Sequence, residues 1–295
     1  MFPTLAYSQE ISVRRTEQIT KASAGELVIS GVSPDGRHML ASSLDFRGLK
    51  IIDLKKKRIM EVTSDAGAGY EPVFSPDGDK IYFRSDEYRN LRKYSSLHEY
   101  TRSTGKTSLV EPPTRGLGSP AISGGKVIYL ADGRQKARIT GKDGSQKGGA
   151  DLFVMLEDLV PVLYSNGIRK ELKPNGEGNY IWASLSPDRT KLVYNFRGTS
   201  TFVSDTSGRI LADLGRLDAP GWINNYLIAG MNDEDDGTRV LRSDICCYSL
   251  KTNKLYNLTS TENAIEMYPR PVPGKSCIAF QTLTGELFLM HFKIR

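Results

Sequence analysis

A four-residue turn motif recurs along this chain of 295 residues and constrains its fold more than any other feature. Ser-Pro-Asp-Gly occurs at residues 33–36 and 75–78, and the variant Ser-Pro-Asp-Arg occurs at 186–189. Proline presets φ for the second position of a tight turn, aspartate accepts hydrogen bonds from nearby backbone amides, and glycine adopts the positive φ that closes the reversal. Because an alternating apolar run follows each copy, each predicts a hairpin between two strands.

Weaker copies of the turn extend the repeat through the whole chain. Ser123, Asn224 and Pro273 occupy matching places before further apolar runs. The six copies lie about 48 residues apart on average, which is the length of four short strands with their turns. We therefore predict an all-β fold, a six-bladed β-propeller. Seven blades is the alternative, because the long third interval contains a segment, residues 150–174, that reads as three further strands.

The two ends of the chain complement each other. Residues 11–20 read as a strand without a partner in the first repeat, and the sixth repeat supplies only three strands before the chain ends. We predict that the N-terminal strand pairs with the last blade, which closes the ring and removes open sheet edges. Residues 9–295 are then a single propeller domain.

Residues 1–8 read as the remnant of a secretory signal. Ala6-Tyr7-Ser8 has the small-x-small pattern that precedes a cleavage site, here before Gln9. We therefore expect a periplasmic or secreted protein. No apolar run approaches eighteen residues, so no membrane span is predicted.

Charge and cysteine usage exclude some classes of function. The net charge is +6, but the 40 Lys and Arg are mixed with 34 Asp and Glu. The densest basic run, residues 55–58, falls at a predicted hairpin turn, and no basic face with interleaved aromatics suggests nucleic-acid binding. Cys246, Cys247 and Cys277 are expected to be packing residues, although a bridge from Cys277 to one of the adjacent pair remains open.

Motifs for catalysis are scarce. The chain has no Gly-x-Ser-x-Gly elbow, and its three histidines, His38, His98 and His291, are far apart in the sequence. Residues 232–237 resemble the start of a calcium loop, but the twelfth position is Ser243 rather than glutamate, so a solvated acidic turn is favoured. We expect no catalytic residues, no metal and no cofactor.

The repeats resemble those of TolB-like β-propellers. The resemblance rests on FSPDG at 74–78 followed by KIYF at 80–83, and on SDICCY at 243–248 followed by KLYNLT at 254–259. It covers the chain from Ile11 to Arg295 and applies to the propeller part only, because residues 1–10 leave no room for the N-terminal α/β domain of TolB. Similar repeats occur in the propellers of prolyl oligopeptidase-type peptidases and in oligogalacturonate lyases, whose metal is held by histidines and a glutamine.

The segments just before or on the predicted innermost strands carry large aromatic and charged side chains. Such residues around a concave mouth suit a peptide or a glycan. We predict a monomeric, non-catalytic, exported propeller that binds a protein or cell-envelope polymer at its channel mouth. The alternative is a carbohydrate-active enzyme similar to oligogalacturonate lyase, which elemental analysis for a stoichiometric transition metal would distinguish. The candidate ligand-binding residues are Tyr70, Glu71, Arg115, Tyr180, Trp182, Trp222, Glu266, Tyr268 and Arg270.

Overall fold

The structure is a computed structural model, and it describes residues 11–21, 24–141, 152–262 and 264–294. Within these ranges the chain forms 26 β-strands in seven sheets and no α-helix. The prediction of a signal remnant at residues 1–8 lies outside the described residues. No helix in the described ranges is long and apolar enough to span a membrane.

The seven sheets are the blades of a propeller. Blade 1 contains β2 (Leu27–Val32), β3 (His38–Ser43), β4 (Leu49–Asp53) and β5 (Arg58–Thr63). Blade 2 contains β6 (Val73–Phe74), β7 (Lys80–Arg89), β8 (Arg92–Thr101) and β9 (Lys106–Thr114). Blade 3 contains β10 (Ala121–Ser123), β11 (Lys126–Ala131) and β12 (Arg134–Ile139). Blade 4 contains β13 (Leu152–Glu157), β14 (Val160–Ser165) and β15 (Ile168–Glu171).

The last three blades have four strands each. Blade 5 contains β16 (Tyr180–Leu185), β17 (Lys191–Phe196), β18 (Ser200–Asp205) and β19 (Ile210–Asp213). Blade 6 contains β20 (Asp218–Trp222), β21 (Leu227–Asp235), β22 (Val240–Ser249) and β23 (Lys254–Asn257). Blade 7 contains β24 (Glu266–Pro271), β25 (Cys277–Thr282), β26 (Leu287–Ile294) and the N-terminal strand β1 (Ile11–Gln18).

The predicted ring closure is confirmed. β1 pairs antiparallel with β26, from Ile11 opposite Ile294 to Gln18 opposite Phe288. The first strand of the chain is thus the outermost strand of the last blade. This pairing covers the outer edge of β26.

The recurrent turn folds as its chemistry predicts. In the first copy the Ser33 hydroxyl donates to Asp35 Oδ1 (2.6 Å), which also accepts from the backbone amide of Arg37 (3.0 Å), and Gly36 has φ of 62°. In the third copy Arg189 replaces the glycine and still takes a φ of 59°. Burial opposes ionisation of its turn aspartate, Asp188, but hydrogen bonds from Ser186 and Thr190 outweigh it and lower the pKa to about 2.

These turns define one end of the ring, the turn face. The opposite end, where the inner strands begin, is the mouth face. The basic turn at residues 55–58 lies on the turn face, since the amide of Leu54 donates to the carbonyl of Arg37 in the first Ser-Pro-Asp-Gly turn (2.9 Å).

The main prediction of six blades is wrong, and the alternative of seven holds. The long third interval contains two three-stranded sheets, blades 3 and 4, and the predicted hairpin at Asn166 and Gly167 is present in blade 4. The repeats taken from sequence as the fourth, fifth and sixth are therefore blades 5, 6 and 7.

Blade 4 runs against its neighbours. Its innermost strand β13 begins on the turn face, where the carbonyl of Leu152 accepts from the Ser123 hydroxyl (3.4 Å). It ends on the mouth face, where the carbonyl of Leu159 accepts from the amide of Tyr180 at the start of β16 (2.8 Å). All other inner strands run from the mouth face to the turn face. The long third interval of the repeat is too short for two complete blades. It holds two adjacent blades with three described strands each.

Apolar clusters lie between each blade and the next, and they hold the ring together. One cluster joins Leu27 and Met39 of blade 1 to Ala279 and Leu289 of blade 7, so the packing is continuous around the circle. Six further clusters occupy the other six seams. The three cysteines are buried in this packing and form no disulfide, as expected for packing residues.

Candidate ligand-binding site at the channel mouth

Strained bulges mark the inner strands near the mouth face. Positive φ values near 50° occur at Glu71, Trp182, Ala219 and Tyr268. Each lies four residues before the residue whose amide opens the turn in the structure, which is Ser75, Ser186, Ile223 or Val272. In the last three, the pairing with the second strand slips at this point. Positive φ costs a non-glycine residue of order 1–3 kcal/mol, and a bulge redirects the side chains around it. The bulge thus sets which side chains reach the channel.

Small or medium-sized side chains occupy one position near the channel in five of the six inner strands that run from the mouth face to the turn face. It is the second residue before the turn, and its members are Gly31, Val73, Ala121, Ser184, Gly221 and Arg270. A Cβ atom on Gly221 would lie 2.8 Å from Cδ of Pro271, so the backbones of blades 6 and 7 approach closely there. Arg270 is the one long side chain of this set.

Arg270 is reached by solvent through the channel but is surrounded by the protein of the ring. This enclosure lowers the pKa of Arg270, and the negative charge of Glu71 acts in the opposite direction. No described residue makes an ion pair or hydrogen bond with its guanidinium, although Glu71 is near enough to influence it. A cationic side chain without a direct partner is therefore available to a ligand.

Exposed aromatic rings flank this cation on the mouth face. Tyr70 in blade 2 is 41% exposed, and Tyr268 in blade 7 is 37% exposed. The Tyr70 ring meets Phe46 edge to face with centroids 5.4 Å apart, and the Arg84 guanidinium lies 5.0 Å from the centre of the Tyr70 ring. The charge of Glu71, together with burial, raises the pKa of Tyr70, so its hydroxyl remains a hydrogen-bond donor.

The structure brings four of the nine predicted residues together. Tyr70 and Glu71 in blade 2 and Tyr268 and Arg270 in blade 7 lie on inner strands on either side of blade 1, and Glu71 is near enough to Arg270 to act on its pKa. We call these four residues the mouth patch. Arg115 is exposed on the loop that leads into blade 3.

The other four predicted residues lie in seams between blades. Tyr180 is fully buried, and its hydroxyl donates to the carbonyl of Gly176 (2.8 Å). Trp222 donates from Nε1 to the Ser184 carbonyl (3.1 Å), and Trp182 packs against the cluster between blades 6 and 7. Glu266 is 5% exposed, and burial raises its pKa. Their contacts are those of packing residues.

An acidic pair that the sequence did not single out lies at the mouth end of blade 6. Asp218 and Asp233 are both nearly buried, and Asn195 Nδ2 donates to Asp218 Oδ1 (3.0 Å). Burial, with the hydrogen bond and charge of Asp233, raises the pKa of Asp218 to about 7, and Arg216 opposes the shift. The sequence predicted a solvated acidic turn at residues 232–237. Residues 232–235 instead belong to β21, so only residues 236–237 of that segment lie outside the strand.

The three histidines lie apart, each with its own polar neighbour. His38 is 2.7 Å from Arg102, His98 is 2.9 Å from the Ser96 hydroxyl, and His291 is 3.5 Å from Glu17. Among the residues that the structure describes, no three His, Cys, Asp or Glu side chains are grouped as metal ligands.

A second concavity lies outside the channel, between blades 4 and 5. It has a volume of about 440 Å³ and is lined in part by Leu159, Asn179 and Arg197. Arg197 already donates to the Glu177 carbonyl (2.7 Å) and stacks on Phe196. Its one charged group is therefore engaged, and we place the candidate site at the channel mouth instead.

The fold is similar to that of several solved β-propellers, whereas no protein-family model and no curated protein matches the sequence. The β-propeller domain of Cps50 (Swd1) from Myceliophteria thermophila is 9% identical with a TM-score of 0.57, and the match covers 95% of this chain and 99% of that one. TolB from Acinetobacter baumannii is 18% identical with a TM-score of 0.50, covering 80% of this chain and 55% of that one. An oligogalacturonate lyase in complex with manganese is 16% identical with a TM-score of 0.49, covering 89% and 76%. At these identities the matches to Cps50 and TolB establish the β-propeller fold alone.

Proposed function

We propose that this protein is an exported, non-catalytic β-propeller of the TolB type that acts as a monomer. It binds a protein or a cell-envelope polymer at the channel mouth, through the patch formed by Tyr70, Glu71, Tyr268 and Arg270, with Arg115 at its rim. Export is inferred from the small-x-small pattern before Gln9.

The unpartnered guanidinium of Arg270 inside the channel supports the proposal most directly. Arg270 is exposed to solvent, and Glu71 is the described residue whose opposite charge acts on it. A planar guanidinium offers several donors in a fixed fork, and the two exposed tyrosines offer flat faces that end in a hydroxyl. This combination is typical of the residues that contribute most to recognition in binding interfaces.

Binding at the basic turn would have a different character. Residues 55–58 lie on the turn face, and the backbone amides of Lys55 and Lys56 are already bound by Asp53. The side chains of Lys55 and Lys56 are exposed, and the Lys57 ammonium is paired with Glu17 (3.7 Å). Attraction of this turn for anions would therefore be weak and screened by salt.

Binding of fractionated cell envelope to the immobilised protein tests the proposal. Replacing Arg115 and Arg270 by alanine should abolish binding of the native ligand at physiological salt without loss of folding, since removing an interface anchor typically costs about 2 kcal/mol or more. Neutralising residues 55–58 is the matched control on the other face and should change binding little. Full binding by the arginine variant and none by the neutralised one would place the site on the turn face and refute the proposal.

A further inference from the structure

In blades 5, 6 and 7, one side chain in the second strand reaches across the seam to the next blade. It is the fifth residue of that strand. In blade 7, Gln281 Oε1 accepts from the backbone amide of Ile29 in blade 1 (2.9 Å). In blade 6, Met231 Sδ accepts from the backbone amide of Tyr268 in blade 7 (3.4 Å). In blade 5, the side-chain Nδ2 of Asn195 donates to Asp218 Oδ1 in blade 6 (3.0 Å). The position therefore links neighbouring blades at the inner strand.

Arg84 occupies this position in blade 2, where its contact across the seam is weaker. An arginine has no acceptor atom, so it cannot receive a backbone amide as Gln281 does. It is only 9% exposed, its Nε has no hydrogen-bond partner, and its terminal nitrogen makes one long contact of 3.4 Å with the Ser119 hydroxyl of blade 3. No carboxylate among the described residues lies within ion-pair distance of it.

A nearly buried cation without a counter-ion destabilises the unliganded protein. The surroundings of Arg84 point to a ligand. One face of its guanidinium lies over Tyr70, a residue of the proposed mouth patch, and Ser119 belongs to the same loop region as Arg115. The charge is therefore next to the place where the ligand is proposed to bind.

We propose that Arg84 anchors a carboxylate of the ligand at the seam between blades 2 and 3, beside the channel mouth. This inference rests on the proposed binding function and adds the chemical class of the ligand. The terminal nitrogens of Arg84 donate to the carboxylate, and the Ser119 hydroxyl turns to donate to it as well. Glu71 near Tyr70 disfavours a doubly charged phosphate, so a singly charged, planar carboxylate fits best.

A peptide C-terminus and an acidic sugar both supply such a group, and small probes distinguish the two sources. The free acid and the amide of triglycine form one arm, and glucuronate and glucose form the other, with acetate and phosphate as minimal anions. Melting temperature and NMR titration of the whole protein measure binding. We expect the carboxylate probes to raise the melting temperature by a few degrees at about 100 mM, and the uncharged analogues to have no effect.

Arg84→Gln is the decisive variant because glutamine occupies the same position in blade 7. It should lower the apparent affinity for the carboxylate probes about 10- to 100-fold, while the melting temperature without probe stays equal to that of the wild type or rises. Arg92→Gln is the matched control: it removes the same charge from an exposed site in the same blade and should leave the probe response unchanged.

Three outcomes would overturn the inference. They are the absence of any carboxylate response in the wild type, an equal response in Arg84→Gln, and a stronger response to phosphate than to acetate. A large drop in melting temperature for Arg84→Gln without probe would assign Arg84 a structural role instead. None of these results contradicts the proposed function. The proposed function is tested separately, by binding of the native ligand after Arg115 and Arg270 are replaced.

Discussion

Replacing Asp218 by asparagine should stabilise the protein at alkaline pH and leave it unchanged in acid. Asp218 is 9% exposed, and burial beside Asp233 raises its pKa from 3.8 to about 7. The folded protein therefore holds a proton more tightly than the unfolded chain does. The stability that this proton contributes is fully present below pH 4 and is lost as the pH rises through about 7.

The size of the effect follows from the shift. About three pKa units correspond to roughly 4 kcal/mol at 1.36 kcal/mol per unit, which is an upper limit for the loss between pH 4 and pH 8. Asparagine at this position keeps the acceptor for Asn195 and supplies a permanent donor toward Asp233. Asp218→Asn should thus match the wild type near pH 4 and exceed it by about 2–4 kcal/mol at pH 8.

Urea unfolding at a series of pH values measures this difference directly. Asp235→Asn is the control, because Asp235 lies on the neighbouring strand and contacts the same Arg216 but is exposed. The difference between Asp235→Asn and the wild type should change much less between pH 5 and 8, because the charge of Asp235 makes the smallest contribution to the raised pKa of Asp218. If the stability advantage of Asp218→Asn were independent of pH, or if the variant were less stable than the wild type at pH 8, the raised pKa of Asp218 would be refuted.

Three further predictions concern the ring, one seam and the N-terminus. A chain that begins at Lys21 lacks β1 and should lose several kcal/mol of stability and aggregate through the uncovered edge of β26; an unchanged melting temperature and a monomeric elution profile would contradict this. Trp222→Phe removes the hydrogen bond to the Ser184 carbonyl and should cost about 1 kcal/mol in denaturant unfolding, with ligand binding unaffected. N-terminal sequencing of protein from native cells should show processing at or near Ser8, and an unprocessed cytoplasmic product would disprove export.

The turns were predictable from sequence because they depend on local chemistry, and the closure of the ring was predictable from the number of strands in the repeats. Ser33, Asp35 and Gly36 specify their reversal through short-range hydrogen bonds and one positive φ. The pairing of β1 with β26 followed from a strand in excess at one end and a strand missing at the other. The position of Arg270 on an inner strand was also predictable, since it precedes a recognisable turn.

The number of blades and the composition of the site were decided only by the tertiary structure. Blade 4 has no Ser-Pro-Asp-Gly turn, and the reversed direction of β13 leaves no local signal in the sequence. The alternation of side chains along a strand predicts which face a residue takes, but the bulges at Trp182 and Tyr268 shift that alternation within the inner strands. Tyr180 stands six residues before Ser186, whereas Tyr70 stands five before Ser75, and Tyr180 is buried in a seam while Tyr70 is exposed. Arg84 was missed because only the packing of blade 2 against blade 3 leaves its charge without a counter-ion.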